Sequence, residues 1–425
     1  MKKKAFRFIG TLLMCLTAAS IAFGGGYQIN EHGARATGMG GAFVAQASDP
    51  SAIFFNAAGL GFQNGINVLA GTTLIFPSTT FTGPTPLTTE TKMVSQTFYP
   101  SSLYGSYAVN DQWVVGLGVY TPYGLGTEWP NDWVGKELFV KADLKTYYIN
   151  PTVAYKVSNQ LAFGAGVSMV FGSAKISYRV KTMSSLGVYS ALDGTASLDG
   201  TGNGVSVNVG AMYKPMEKLS LGAAFRSLTN LKFSGTASFT DMQALQAYFP
   251  GGDGNVTLPM PANLQVGAAY VVDPKLTVEA DFQYTFWSAY KNLEITLATG
   301  PNAPAPLGGQ PLQKSPAPSV KNWDDGFLGR IGAEYKLDDR VQLRLGYVRD
   351  ISPQPPSKME PMLPDANRND ITVGGSCQVS ERFFVDVSYM LVLFADRTAV
   401  AADTPLPGTY KSSANLVSVN LGYHF

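Results

Sequence analysis

Few residue types in this 425-residue chain could do covalent or metal chemistry, and none of them is spaced to do it. The histidines are His32 and His424 and the cysteines are Cys15 and Cys377. No grouping of Cys, His and Asp has the spacing of a metal site. A hydrolytic pair needs a nucleophile within hydrogen-bond reach of its base. The serine best placed beside His424 on its strand is Ser418, six residues away and out of reach. Gly38-Met39-Gly40-Gly41 is followed by no Lys-Ser/Thr and so is not a phosphate loop. An enzyme is not expected, and no cofactor or metal is implied. Cys377 falls on the apolar face of the run Ile371, Val373, Gly375, Cys377, Val379, which reads as a bland thiol facing lipid or a core.

The elements that would carry these residues alternate. The last nine residues, Val417 to Phe425, place apolar or aromatic side chains at odd positions and small or polar ones at even positions. Successive side chains of a strand point to opposite faces, so one face is greasy and the other wet. The same pattern recurs at Trp113, Val115, Leu117, Val119; at Leu161 to Phe171; at Leu264 to Tyr270; at Leu276 to Tyr284; at Val341 to Tyr347; and at Phe383 to Tyr389. Arg226, Glu279, Asp281, Arg330, Glu334, Arg344 and Asp386 all fall on the polar face. A charge on a lipid face near the midplane costs roughly 2–4 kcal/mol, whereas one facing a lumen can pair.

Connection lengths alternate as well. Short turns stand at Asn110-Asp111, Ser158-Asn159, Pro215-Met216, Asp273-Pro274, Asp338-Asp339 and Ser380-Glu381. Longer Gly/Pro/Thr-rich loops are predicted near residues 82–91, 126–142, 181–202, 238–257, 298–320, 352–367 and 401–410. Six turns and seven loops join fourteen strands. The even count places both termini on one side, with short turns there and long loops opposite. The fold class expected is all-β, a fourteen-stranded antiparallel transmembrane β-barrel, and no run is apolar and long enough for a spanning helix.

The N-terminus carries Lys2, Lys3, Lys4 and Arg7 before an apolar run from Phe8 to Phe23, a signal-peptide pattern with cleavage after Ala22 or Gly24. Removing it takes four cations from 31, leaving 27 against 30 acids. Such a chain does not point to nucleic acid. After cleavage Cys377 is the one cysteine left, so no intrachain disulfide can form. The organisation predicted is a signal peptide over 1–24, an N-terminal segment over 25–63 and a barrel over 64–425. The 25–63 segment is rich in Gly and Ala, lacks a period of two, and carries the buried-looking Ile53, Phe54 and Phe55. A fourteen-strand barrel is wider than side chains alone fill, so this segment is expected inside it as a plug.

Gly26-Tyr27-Gln28-Ile29-Asn30-Glu31, Asp49-Pro50-Ser51-Ala52 and Asn56-Ala57-Ala58-Gly59-Leu60 resemble the N-terminal hatch of the FadL-type family of outer-membrane transporters. Gly116 to Leu125 is similar to its third strand, with Trp129 and Trp133-Val134-Gly135 following. Arg344-Leu345-Gly346-Tyr347, Asp350, Pro353 and Leu363 to Arg368 match a later strand–loop–strand signature. The likeness covers essentially the whole mature chain. It implies passive, ligand-gated uptake of a hydrophobic small molecule, a long-chain fatty acid or an aromatic hydrocarbon. The protein would be a multi-pass monomer in the outer membrane of a Gram-negative bacterium, its partners that ligand, membrane lipid and, in solution, detergent. The expected sites are outer-loop capture by Trp129, Trp133, Leu138 and Phe139; a pocket at the hatch start formed by Gly25, Gly26, Tyr27 and Ile29; and an inward kink at Thr121, Pro122, Tyr123 and Gly124 that opens the wall sideways. Proline's missing N–H and glycine's latitude suit such a kink; the alternative is that Pro122-Tyr123-Gly124 is simply the strand's end before a loop. The hatch motif here is Asn56-Ala57-Ala58, with Ala57 where the family usually has proline. An aqueous porin or a surface adhesin on the same scaffold is the alternative.

Overall fold

The computed structural model describes residues 25–180, 194–242, 246, 251–297, 319–400 and 403–425. The N-terminal signal-like run and the cores of the loops expected around 181–202, 238–257 and 298–320 lie outside these residues. Fourteen strands run antiparallel, each beside its neighbours in sequence: β1 (Ile66–Thr82), β2 (Ser101–Ala108), β3 (Trp113–Tyr120 and Gly124–Glu128), β4 (Lys141–Lys156), β5 (Leu161–Arg179), β6 (Thr195–Met216), β7 (Leu219–Arg226 and Thr229–Thr240), β8 (Gly252–Met260 and Asn263–Asp273), β9 (Leu276–Thr285 and Ile295–Leu297), β10 (Gly326–Lys336), β11 (Val341–Ile351), β12 (Arg368–Gln378), β13 (Phe383–Phe394 and Arg397–Ala399) and β14 (Gly408–His424). The ring closes where β14 pairs with β1, from Asn67 opposite His424 to Thr82 opposite Thr409. Closure leaves no strand edge exposed to lipid, the condition for crossing a bilayer with strands.

Four of the six short turns fall between strands as the sequence reading placed them; Pro215 and Met216 are instead the last residues of β6 and Asp273 the last of β8, so those turns fall at Glu217-Lys218 and Pro274-Lys275. Two loops are longer than read, with β2 starting at Ser101 and β10 at Gly326, and others are shorter: β6 begins at Thr195, β7 runs to Thr240, β8 starts at Gly252 and β14 at Gly408. These strand ends are rich in Ser, Thr and Gly and lack the greasy alternation. They pair by backbone with a neighbouring strand, which the sequence pattern does not display. Leu103, Leu117, Val167, Phe171, Leu343 and Leu345 point outward and are exposed, as a lipid-facing belt requires. The seven charges of the polar faces are buried inside. Some of them pair there: Arg344 bonds Glu334 at 2.7 Å and Asp386 at 3.4 Å.

Residues 25–63 carry two short helices, α1 (Ala34–Gly38) and α2 (Ala52–Phe55), and a 3-10 turn, Ala57–Phe62. Their bonds reach inward-facing groups around the ring. Ala34 N–H donates to Asn420 Oδ1 (2.6 Å), Thr372 Oγ1 to the Gly38 carbonyl (3.0 Å), and Asn56 Nδ2 to the Ala211 carbonyl (3.0 Å). Four consecutive amides are held by two carboxylates of β9. Phe43 and Val44 donate to Asp281 Oδ2 at 2.8 and 3.0 Å, and Ala45 and Gln46 donate to Glu279 Oε1 at 2.6 and 3.3 Å. Glu279 and Asp281 share a face because they are two residues apart on one strand.

Candidate functional site

The third strand breaks where the sequence reading placed a bend. Tyr120 pairs with Tyr148 of β4, and pairing resumes with Gly124 opposite Lys145. Three residues of β3, Thr121 to Tyr123, therefore span two of β4, Thr146 and Tyr147. The extra residue is a bulge, and it exchanges the faces. Tyr120 points inward before it; Leu125, opposite the buried Leu144, points inward after it. Outward positions beyond the break fall on Gly124 and Gly126. A Cβ on Gly126 would stand 1.9 Å from the Phe98 ring, so the glycine lets Phe98 lie on the strand.

β2 pairs with β3 no further than Val119. Beyond that point the edge facing β2 is taken by the N-terminal segment. Ile29 N–H donates to the Pro122 carbonyl at 2.8 Å, and Gly124 N–H donates to the Tyr27 carbonyl at 3.0 Å, which makes Gln28 and Tyr123 antiparallel bridge partners. Pro122 has no N–H to leave unpaired on that edge. Ile29 packs on Gly124, whose absent Cβ would meet Ile29 Cδ1 at 2.9 Å.

Tyr27 enters an aromatic box. Its ring lies 4.6 Å from Trp287, 5.8 Å from Tyr290, and 6.1 Å from both Trp323 and Tyr123. Its hydroxyl donates to the Pro259 carbonyl at 2.5 Å. Gly26, at φ +56°, admits no side chain because Trp287 and Trp323 crowd it. Its N–H donates to Asp365 Oδ2 at 3.2 Å. From Tyr123 the rings continue to Tyr148, Tyr120 and Tyr104 at 6.3, 5.8 and 5.7 Å. Arg226 lies beside this row, donating to the Tyr120 hydroxyl (2.7 Å) and the Phe54 carbonyl (3.0 Å).

A small cavity of about 50 Å³ adjoins the box, lined by Tyr27, Leu125, Leu144, Tyr290, Trp323 and Met362 among others. Outside it lies an open groove of about 680 Å³ between the outer ends of β5, β6, β7 and β9 and the loops before β4, β12 and β14. Leu138 and Phe139 line this groove. Trp129 and Trp133 do not, which corrects their reading as capture residues. They are buried and stacked at 4.5 Å, and their indole N–H groups donate to the Pro361 and Phe139 carbonyls. Packed with Phe81 and Tyr410, they hold the loop after β3 in place. Asn56 caps the 3-10 turn through Ala58 N–H (3.2 Å), and Ala57 is the turn's first residue, set against Gly164. Trp287, Tyr290 and Trp323 were missed by the sequence reading. The local signal for Trp287 and Tyr290 is the aromatic cluster from Phe286 to Tyr290, which ends the alternation of β9; Trp323 stands outside it.

A closed ring of fourteen antiparallel strands with a greasy outer belt and a polar, charged interior defines a β-barrel of the bacterial outer membrane. The family model described as outer membrane protein transport protein (OMPP1/FadL/TodX) matches residues 15–425. The chain belongs to this family of transport proteins and is not an enzyme. The long-chain fatty acid transport protein of Escherichia coli K12 is 24% identical over 408 residues, covering 87% of this chain and 88% of that protein. Outer membrane protein P1 of Haemophilus influenzae is 25% identical over 368 residues, covering 78% and 76%. Among solved structures, a Pseudomonas aeruginosa FadL homologue superposes with a TM-score of 0.82 at 18% identity, covering 94% of this chain and all (100%) of the other. The Pseudomonas putida toluene transporter TodX gives 0.72 at 19% identity, covering 95% and 99%. These likenesses extend the match to the fold.

Proposed function

We propose that this protein is a passive, ligand-gated channel that admits hydrophobic molecules through the outer membrane and releases them sideways at the break in β3. Residues 25–63 act as the hatch of a monomeric barrel over 64–425, after a signal peptide is removed. The observation that carries the reading is the bridge of Tyr27, Gln28 and Ile29 to Pro122, Tyr123 and Gly124, beside an apolar cavity. The segment that closes the free strand edge is the one whose Tyr27 fills the aromatic box. A ligand entering the box competes with Tyr27, and displacing Tyr27 pulls its neighbours from the strand edge. Leu138, Phe139 and the outer groove give first capture. Burial of apolar surface supplies affinity at roughly 25 cal/mol per Å². The relatives named for fatty acid and toluene transport bracket the ligand class.

The test is to replace Thr121 to Gly124 with a regular strand lacking the extra residue and to follow uptake of a labelled hydrophobe into cells. Uptake is expected to fall to the level of the deletion strain while the barrel still folds, as judged by heat-modifiable migration. Unchanged uptake through a sealed wall would overturn lateral exit. Large, stable conductance steps from the native protein in planar bilayers would favour a porin instead.

A further inference from the structure

The outer groove and the inner cavity have four lining residues in common: Ile176, Leu293, Glu360 and Met362. These form the neck through which a ligand passes from one to the other. Three of them are apolar, and the fourth is a carboxylate.

Glu360 does not stand alone. Lys321 Nζ lies 2.5 Å from its Oε1, with the lysine side chain 2% exposed and the glutamate 24%. Lys321 is fixed from its backbone, where its N–H donates to the Lys291 carbonyl at 2.7 Å, and Nζ lies 5.9 Å from the centre of the Tyr290 ring. It follows a two-strand pairing in which Asn292 faces Val320 and Leu293 faces Ser319. Glu360 is braced by its bridge to Leu363. Two rigid pieces from different connections therefore meet in one ion pair at the neck. The other charges lining the cavity have partners elsewhere: Asp143 pairs with Lys145 at 3.0 Å and Lys175 with Asp199 at 3.8 Å. Glu137, Lys358 and Asp403 border the open groove and not the neck.

We infer that Glu360, by occupying Lys321, is the specificity-determining residue that restricts the neck to uncharged hydrophobes. This rests on the uptake reading given above and narrows its ligand class. A carboxylate ligand arriving at the neck meets a negative group whose cation is already engaged. To reach Lys321 it must displace Glu360 and leave that carboxylate beside its own charge, and like-charge juxtaposition is a strong means of rejecting a partner. A neutral ligand meets Ile176, Leu293 and Met362 and disturbs no charge. Lys321 is thus a latent carboxylate site that Glu360 keeps closed.

A matched pair of probes separates the two ligand classes: dodecan-1-ol and dodecanoate, which share one hydrocarbon chain. Binding is measured at pH 7.5 by calorimetry to the full chain in lipid nanodiscs, with intact folding checked by heat-modifiable migration. The wild type is expected to bind the alcohol about tenfold or more tightly than the carboxylate. Glu360→Gln is expected to tighten dodecanoate about tenfold and to leave the alcohol within about twofold, because it frees Lys321 without changing the neck's shape. The double variant Lys321→Met/Glu360→Gln removes both charges; it should lose the gain for dodecanoate and keep the alcohol. Equal binding of both probes by the wild type overturns the inference, as does an unchanged ratio in Glu360→Gln. Failure of all three proteins to bind either probe overturns the uptake reading itself, and this inference with it.

Discussion

Replacing Asp281 with alanine tests how the N-terminal segment is held. Asp281 Oδ2 accepts from the backbone amides of Phe43 and Val44 at 2.8 and 3.0 Å. The carboxylate fits because Gly267 opposite has no Cβ; one would lie 2.1 Å from Asp281 Oδ1. Alanine leaves both buried donors without an acceptor, at about 1–3 kcal/mol each, and water entering the vacated space recovers part of this. A net loss of about 2–4 kcal/mol in the local stability of the segment is expected. At a factor of ten per 1.4 kcal/mol, that is a roughly 30- to 1000-fold acceleration of amide exchange. Hydrogen exchange by mass spectrometry on the protein in nanodiscs reads it directly. Peptides covering residues 40–47 should exchange faster, and peptides from β5 and β12 should not change. Glu279 still holds Ala45 and Gln46, and Arg330 keeps its bond to Gln283 (3.0 Å), so the barrel should stay intact. Asp281→Asn retains a carbonyl acceptor without the charge and should fall between the two. Unchanged exchange in residues 40–47 would refute the anchoring role. Uniform acceleration across the barrel would show that Asp281 supports the wall and not the segment.

Two further outcomes follow from single residues. Ala57→Pro should stabilise the protein by about 0.4–1 kcal/mol through the unfolded chain. Ala57 opens the 3-10 turn, where proline's missing N–H is not needed, and Asn56 before it is already extended at φ −155° and ψ 102°. Thermal unfolding in detergent measures the gain; a lower midpoint would show that the site does not tolerate the ring. Asp365, in the loop before β12, is pushed up to about 6 by burial, while its bonds from Ser352 and Gly26 pull the other way. Its folded value lies above the ordinary 3.8, so its stabilising contribution is full below about 3.8 and is lost as pH rises to about 6. Across that window the wild type should lose midpoint temperature relative to Asp365→Asn, and parallel profiles would contradict the burial argument.

Much of the architecture was legible in the chain because lipid enforces a local rule. Every spanning strand must alternate, and each charge must fall on the inner face, so Arg344 and Asp386 could be placed by counting alone. The strand ends at Thr195, Thr240 and Gly252 were not legible, since above the membrane that rule lapses and backbone pairing suffices. The same limit applied at the site. Trp129 and Trp133 read as exposed binders because indoles in a loop after a strand look available. Their partners Phe81 and Tyr410 lie tens to hundreds of residues away, and only packing brought them together.

A bend near Pro122 was implied by the family resemblance. By itself the sequence determined a fourteen-strand barrel with long loops on one side and an N-terminal segment that does not alternate. Those features depend on periodicity, turn chemistry and residue type over short stretches. Tertiary structure alone decided that the bend is a one-residue bulge that exchanges the faces of β3, and that Tyr27 to Ile29 occupy its free edge. It also decided that Tyr27 sits among Trp287, Tyr290 and Trp323, and that Lys321 is spoken for by Glu360. These contacts join residues far apart in the chain, whose meeting is set by how the ring closes around the segment within it.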